Sequence, residues 1–256
     1  MGSGLSLYGV DLWSTSLMFA RLSAMLMLLP GFGEPSIPAR VRLSFALLLA
    51  IVMAPTIAPH MPPMPSGAWA GSGLMISETV IGVMLGGAAR LLVSALATAG
   101  QSMGLETGLA FAQTADPTQN QSGQVFAVFL SMMGVALIFA TGLDHMFIAG
   151  IAGSYDLIAP GAKPPIGDAA QLALDATSLS FRVGFQIAAP VIAAGLIFRV
   201  GMGVLSRLIP QIQVFFVVLP LQVLGGFAVI ALGLSAGMLV WLDSLHRFAG
   251  WMHHGG

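Results

Sequence analysis

The stretch GQSMGLETGLAFAQTADPTQNQSGQ, from Gly100 to Gln124, is polar in the middle of a chain that is otherwise apolar almost everywhere. We call it the central segment. It contains Glu106, Asp116 and a run of amide and hydroxyl side chains in its second half. Polar backbone and side-chain groups cannot remain unsatisfied against lipid tails. We therefore expect the central segment to lie outside the membrane, inside a protein assembly or along a water-filled path.

The two halves of the central segment predict different local structures. In the first half, small residues recur every four positions, which on a helix makes a stripe that another backbone can approach closely. These residues are Gly100, Gly104, Gly108 and Ala112. In the second half, Pro117 disfavours helical backbone at Asp116, so we predict a turn or loop over residues 115–118.

The composition is that of an integral membrane protein. The chain has 256 residues, of which 57% are hydrophobic and 7% charged, and its mean hydropathy is +0.92. Soluble domains carry about 25% charged residues. A net charge of −1 without basic clusters argues against nucleic acid as a partner. The chain contains no cysteine, which excludes disulfides and thiolate chemistry, and we expect no metal or other cofactor.

Apolar stretches long enough to cross a bilayer alternate with turns rich in proline and glycine. We predict an all-α membrane protein of about six long, kinked helices in hairpins, because sustained strand-like alternation is absent. The predicted helices cover residues 8–29, 39–54, 74–99, 125–155 with a bend near 142–145, 169–207 and 214–248. Pro190 and Pro220 fall inside the last two and are expected to kink them. The first stretch, interrupted by Asp11 and Arg21, predicts a retained helix rather than a cleaved signal.

Charged residues within the apolar stretches admit two interpretations. They are Arg21, Glu78, Arg90, Arg182 and Arg199. A charge at the bilayer centre costs roughly 2.5 kcal/mol or more, so these groups are expected to face protein or water. One interpretation is a proton or ion relay. The other, which we favour because the acids are scattered, places some at helix ends and pairs the rest between subunits. Glu78 and Arg90 are about 18 Å apart along one helix and cannot pair with each other.

Other patterns predict topology and packing rather than chemistry. Arginines flank two turns, which predicts that both turns face the cytoplasm and both termini lie outside; they are Arg40 and Arg42 at one turn and Arg199 and Arg207 at the other. The pairs Gly82/Gly86 and Gly233/Gly237 predict close helix packing. No P-loop, HExxH or GxSxG motif occurs, and Asp144-His145 is interpreted as a solvated helix end, so we expect no enzyme.

Three motifs, in this order, resemble the FliR family of export-gate proteins, which serves flagellar and virulence type III secretion. They are SIPARVRLSFALLLAIVMAP at Ser36–Pro55, GLETGLAFAQTADPTQNQSGQ at Gly104–Gln124 and GVLSRLIPQIQVFFVVLPLQVLGG at Gly203–Gly226. The resemblance covers nearly the whole chain. It implies a structural and gating subunit of the flagellar export gate, in the bacterial inner membrane at the flagellar basal body.

The resemblance also implies a two-part chain and a set of partners. Residues 1–172 resemble FliP, and residues 173–256 resemble the kinked helical hairpin of FliQ, with AAP at Ala188–Pro190 and PQI at Pro210–Ile212. One such chain would join several FliP-like and FliQ-like subunits in a helical ring that admits unfolded export substrates. FlhB would wrap this gate and FlhA would lie beneath it. Much of the ring would be held above the plane of the lipid bilayer.

By the same resemblance, the central segment corresponds to the plug that closes the pore. Apolar side chains can fill a narrow lumen, and polar ones can meet water or a polar wall. The apolar residues assigned to the plug are Met103, Leu105, Leu109 and Phe111, and the polar ones are Glu106, Gln113 and Asp116. Residues assigned to helix packing and assembly are Gly100, Gly104, Gly108, Pro190, Pro210 and Gln211. The alternative interpretation of the segment is an ordinary loop between helices.

Two other functions remain as alternatives at this point. A virulence secretion counterpart would share the same motifs. A self-contained secondary transporter would place a midplane site at the kinked helices around Pro190. Against the transporter, the sequence has no clear inverted repeat and no cluster of acids to couple protons.

Overall fold

The computed structural model describes residues 6–7, 10–108, 125–208 and 214–254. The fold is all-α, as the sequence predicted, apart from a two-residue antiparallel pairing of β1 (Ser6–Leu7) with β2 (Val10–Asp11). The helices are α1 (Leu12–Leu28), α2 (Ala39–Ile57), α3 (Ala68–Glu106), α4 (Val125–Ala140), α5 (Leu143–Leu157), α6 (Ile166–Leu208) and α7 (Val214–His254). A short 3₁₀ turn, Ala58–His60, follows α2.

Helix α1 begins at Leu12 because Asp11 caps it. The backbone N–H of Trp13 donates to Asp11 Oδ1 at 3.2 Å, and the Ser14 hydroxyl donates to Asp11 Oδ2 at 2.7 Å. A capping side chain satisfies N–H groups that have no partner within the helix. The Ser14 hydrogen bond, with help from the backbone, lowers the pKa of Asp11 below its ordinary value.

We expect Asp11→Ala to destabilise the protein by about 1 kcal/mol at neutral pH. Because the folded-state pKa is lowered, the ionised cap stabilises the protein above the unfolded pKa of about 3.9 and stops doing so as the pH falls through the folded value. Melting temperatures of wild type and Asp11→Ala between pH 6 and pH 3 should therefore converge only at the acid end. The control Asp11→Asn caps the helix without ionising, so the difference between its melting temperature and that of Asp11→Ala should not depend on pH. A pH-independent difference between wild type and Asp11→Ala would contradict the assignment.

The third helix is longer than predicted at both ends. It begins at Ala68 instead of residue 74 and continues to Glu106, seven residues into the central segment. The proline-rich loop before it is correspondingly short, because α2 continues through Pro55. The indole N–H of Trp13 donates to Pro62 O, within this loop, at 3.1 Å. An internal proline removes one backbone hydrogen bond and can bend a helix without ending it. Pro55 accordingly lies inside α2 and does not end it as the sequence suggested.

The bend predicted near residues 142–145 is confirmed. Helices α4 and α5 meet at an angle of 75° across the break at Thr141 and Gly142. By length and composition, four of the described helices could cross a membrane, or five if the bent pair is one span. Helix α1, with 17 residues, is shorter than these. The protein is therefore a multi-pass helical membrane protein with four or five candidate spans in its described part, fewer than the six crossings expected.

The chain folds into two compact units, each assembled from separate stretches. Unit 1 comprises Met1–Leu92, Ile138–Thr177 and Leu245–Gly256, and unit 2 comprises Val93–Leu137 and Ser178–Ser244. Helices α3, α4, α6 and α7 contribute to both units. The division predicted at residue 172, which concerns likeness to two partner proteins, stays a prediction.

Glycines allow close helix contacts inside each unit, as predicted for the two glycine pairs Gly82/Gly86 and Gly233/Gly237. In unit 1, a side chain on Gly82 or Gly86 of α3 would meet the backbone of Arg21 or Met25 of α1. In unit 2, Gly233 and Gly237 of α7 face Pro190 and Ile187 of α6. The fully buried α1 side chains of unit 1 include Leu17, Met18, Leu22 and Met25. Small residues at these contacts let the helix backbones approach each other closely.

Candidate functional site

The described part of the central segment ends in a helix cap. Helix α3 stops at Glu106, and Gly108 has φ of +80°, a left-handed conformation that glycine adopts without steric cost. The Thr107 N–H donates to Met103 O at 2.9 Å, which closes the last turn. Gly108 therefore lies outside the helix, and the small-residue stripe expected on this helix is limited to Gly100 and Gly104. We call Met103–Gly108 the root of the central segment.

The root is held by two helices of unit 2. The amide of Gln222 on α7 donates to the backbone carbonyl of Glu106 at 2.7 Å, which satisfies an acceptor at the end of α3. Arg199 on α6 places Nη2 2.9 Å from Glu106 Oε2. This ion pair is not an aligned hydrogen bond, because Oε2 accepts none. The Arg199 side chain is 52% exposed and that of Glu106 15%, so water screens the pair in part.

Two glycines make room for these contacts. A side chain on Gly195 of α6 would overlap the carboxylate of Glu106. A side chain on Gly226 of α7 would lie 2.5 Å from Thr107 Cγ2, and Thr107 is only 1% exposed. The root therefore fits closely between α6 and α7, and Glu106 is the charged residue at its end.

The other boundary of the central segment belongs to the same unit. Helix α4 begins at Val125, and the backbone at Ala127 lies directly against Gly100 of α3. Any side chain on Gly100 would overlap that backbone. The described residues on either side of 109–124 are thus joined at a backbone-to-backbone contact between α3 and α4.

The sequence-predicted site residues are distributed unevenly over this geometry. Met103 is buried in unit 2, whereas Leu105 is 61% exposed. Pro190 lies inside α6 and faces Gly233. Outside the described residues lie Leu109, Phe111, Gln113, Asp116, Pro210 and Gln211. Sequence reasoning did not identify Gln222, although a single amide within the apolar run VVLPLQVLGG was a usable signal.

A second ionic cluster is completely buried in unit 1. Arg21 on α1 and Glu78 on α3 are both 0% exposed, and Arg21 Nε donates to Glu78 Oε2 at 2.5 Å. Arg21 Nη1 donates to the carbonyls of Ser154 and Ile158 at 3.0 and 2.9 Å, where α5 ends. The second Glu78 oxygen accepts from the Gly161 N–H at 2.7 Å. The pair therefore ties α1 and α3 to the end of α5 and to the turn after it.

The surroundings of Arg21 complete this cluster. The guanidinium lies 4.2 Å from the centre of the Tyr155 ring, a cation–π contact. Arg21 Nη2 and the Tyr155 hydroxyl are buried without a hydrogen-bond partner. The positive charge also lies at a helix C-terminus, where the helix dipole stabilises a cation. The cluster is suited to fixing helices rather than to carrying protons, because both charges are held by direct contacts.

The expected pairing of helix charges between subunits needs correction. Arg21 pairs with Glu78, Arg199 with Glu106, and Arg90 with Glu34 at 2.6 Å, all within this chain. Only the fold could show this, because the two partners of each pair are 56 or more residues apart in the sequence. Arg182 is exposed on α6 and has no carboxylate partner among the residues that the structure describes.

The Asp144-His145 pair and possible metal-binding groups were the other candidates for chemistry among the described residues. His145 Nδ1 lies 3.1 Å from Asp144, but the His145 side chain is 84% exposed at the first turn of α5, as expected for a solvated helix end. No group of three or more potential metal-binding side chains occurs in the part of the chain described.

Comparisons with known proteins all match bacterial export proteins. The family model of the bacterial export proteins, family 1, matches residues 12–248. The flagellar biosynthetic protein FliR of Caulobacter vibrioides is 43% identical over 233 residues, covering 91% of this chain and 93% of the relative. FliR of Escherichia coli is 30% identical over 82% of this chain and 80% of the relative. FliR of Bacillus subtilis is 28% identical over 90% of both.

Proposed function

The chain belongs to the bacterial export proteins of family 1 and is a component of the flagellar export apparatus, in which we propose that it forms part of the gate for unfolded substrates. The resemblance inferred from three motifs is thereby confirmed. Its relatives are named for flagellar biosynthesis and not for an enzymatic reaction. The proposal adds a role for the central segment, a set of partners and a location.

In this proposal the chain assembles with FliP-like and FliQ-like subunits around a conduit, with FlhB and FlhA adjacent. The assembly lies at the inner membrane in the basal body of the flagellum. Apolar exposed faces on α2, α4, α6 and α7 support it, since they can pack on other subunits as well as on lipid. The similarity to relatives named flagellar biosynthetic protein FliR favours a flagellar system over a virulence one.

The root of the central segment is the observation that carries the gating role. Gln222 and Arg199 hold the root at Glu106. On the other side of residues 109–124, the start of α4 is held against α3 by the contact of Ala127 with Gly100. The described residues that flank 109–124 on each side are therefore held in place within unit 2. An anchored polar segment in an apolar protein can close a path without being lost from it. The glycines Gly104 and Gly108 lower the cost of rearranging the backbone.

The transporter alternative gains no support from these charges. A transporter that couples protons needs acids able to bind and release them. Glu78 is buried against Arg21 and the Gly161 N–H, and Glu106 is paired with Arg199. Both carboxylates are held by contacts within the chain, which suits structural roles.

The gating role is tested by replacing residues 109–116 with glycine and serine at equal length, leaving the root intact. If the segment seals the conduit, a gate assembled with this variant should leak ions, because a glycine–serine stretch lacks the apolar side chains of Leu109 and Phe111 that the proposal assigns to the seal. Ion flux across membranes of cells that overproduce the complex is the measurement. The control is recovery of the partner subunits with the variant. Unchanged flux with an intact complex would show that the segment is an ordinary loop.

A further inference from the structure

The exposed charges of the first three helices of unit 1 lie together at one end. Glu34, in the turn between α1 and α2, pairs with Arg90 of α3. Arg42 Nη1 lies 3.5 Å from the carbonyl oxygen of Gly33 in the same turn. Arg40, in the first turn of α2, is exposed beside them. We call this end, with its three arginines and one glutamate, the arginine end.

The opposite end of these helices carries aromatic and imidazole side chains. The indole N–H of Trp13, at the start of α1, donates to the carbonyl of Pro62 in the loop after α2. A side chain on Gly71 of α3 would lie 3.3 Å from the same indole ring. The start of α1, the end of α2 and the start of α3 therefore meet here. His60 and Trp69 are both exposed at this end, Trp69 by 92%. We call it the tryptophan end.

The distance between the two ends matches the thickness of a bilayer. Along α2, Arg42 and His60 are about 27 Å apart at 1.5 Å per residue, and the hydrocarbon core of a bilayer is about 30 Å thick. Within residues 12–90, the charged side chains between the two ends are Arg21 and Glu78. Both are 0% exposed and pair with each other. These helices therefore expose no charge over the thickness of the hydrocarbon core.

The two sides of α2 differ in the size of their side chains. The side that packs inside the unit has alanines four residues apart, each at most 3% exposed: Ala46, Ala50 and Ala54. The outer face of α2 has branched aliphatic side chains that are 43–74% exposed: Leu47, Leu48, Ile51 and Val52. Helix contacts within membranes are enriched in small residues, because these let the backbones approach closely. The outer face lacks such residues and polar groups, so it suits acyl chains better than another helix.

We infer that the outer face of α2 lies against the acyl chains of the bilayer. The arginine end then lies at the level of one row of lipid headgroups, where Arg40 and Arg42 can meet phosphate or water. Trp69 lies at the level of the other row, where the amphipathic indole is favoured. This inference depends on the chain being a membrane protein and not on the gate role. It assigns one exposed apolar face to lipid and sets the depth of unit 1 in the bilayer.

The experiment measures the accessibility of a spin label in the full-length chain, assembled with its partner subunits in bilayer nanodiscs. The chain has no cysteine, so a cysteine at Val52, 10 residues after Arg42, carries the one label on it. Oxygen dissolves in the hydrocarbon core, whereas a polar nickel chelate stays in water. The label at Val52 should therefore be relaxed by oxygen and protected from the chelate. The control is Met64, which is equally exposed at 72% but lies in the loop at the tryptophan end, where the chelate should reach it.

A pair of charge substitutions checks the depth independently. Val52→Arg should lower the amount of full-length chain in the membrane about tenfold or more, because it puts a charge near the bilayer centre. Val41→Arg makes the same change at an exposed position of the arginine end, so the amount should stay near that of wild type. Equal amounts of Val52→Arg and Val41→Arg would contradict the depth assigned to α2.

The label also separates lipid from other surroundings of α2. Protection from both reagents at Val52 would show that another subunit covers this face, and access of the chelate would show that it meets water. Either result overturns the inference and leaves the gate role to its own test of ion flux. Should no partner subunit be recovered, the gate proposal fails, and oxygen access at Val52 is still expected for the chain alone in the bilayer.

Discussion

Replacing Arg21 with methionine is expected to lower the free energy of unfolding by about 3–5 kcal/mol. The substitution removes the partner of Glu78, whose carboxylate is 0% exposed and would remain buried with one hydrogen bond from Gly161. It also removes the donors that satisfy the carbonyls at the end of α5. Because α1, α3 and α5 all depend on this one guanidinium, the loss should exceed that of any surface charge.

The matched control is Arg90→Met. That residue also pairs with a glutamate, Glu34, at 2.6 Å in the same unit, but its side chain is 42% exposed and that of Glu34 21%. An exposed pair contributes about 0–1 kcal/mol. Melting temperatures of the purified complex, or the amounts of full-length chain in membranes, should separate the two variants clearly. Equal effects of Arg21→Met and Arg90→Met would show that burial of the first pair does not matter.

Gly100→Ala is expected to destabilise the protein by about 1–3 kcal/mol even though alanine is the better helix former. A methyl group at this position would overlap the backbone of Ala127 and the carbonyl carbon of Phe126, and backbone atoms cannot move aside as a side chain can. Helices α3 and α4 would have to separate at the start of the central segment. If the gate depends on that contact, ion leakage should rise together with the loss of stability.

The control for this substitution is Gly87→Ala in the same helix. A side chain on Gly87 would meet nothing within 4 Å, so only the helix propensity of alanine changes, by up to about 1 kcal/mol in favour of the folded state. Thermal unfolding of the two variants in the same detergent should therefore move in opposite directions. Stabilisation by both would mean that α3 and α4 are not in contact at Gly100.

The two ionic clusters are expected to have different roles. The Arg21–Glu78 pair is fully buried and joins three helices of unit 1, so its loss should reduce the amount of folded protein. The Glu106–Arg199 pair is partly exposed and lies at the root of the central segment, so breaking it should cost little stability. A variant such as Glu106→Gln is thus better suited to probing gating than a variant of Glu78.

The glycine pattern illustrates how far local sequence reaches. The spacing of Gly82 with Gly86, and of Gly233 with Gly237, correctly predicted helix contacts, because small residues four apart are neighbours on one helix face. The same spacing suggested that Gly108 continued the stripe of Gly100. Its φ of +80° instead ends the helix, and a glycine that ends a helix has the same letter in the sequence as one that packs inside it.

The sequence by itself determined that this is an all-helical membrane protein and that it bends between α4 and α5, since hydropathy and helix-breaking residues act over short distances. Only the tertiary structure decided which charged residues form ion pairs. Arg21 pairs with Glu78 and Arg199 with Glu106, whereas Arg182 has no partner among the described residues. The physical reason is that an ion pair depends on distance in space, and in a protein of long helices neighbours in space are usually far apart along the chain.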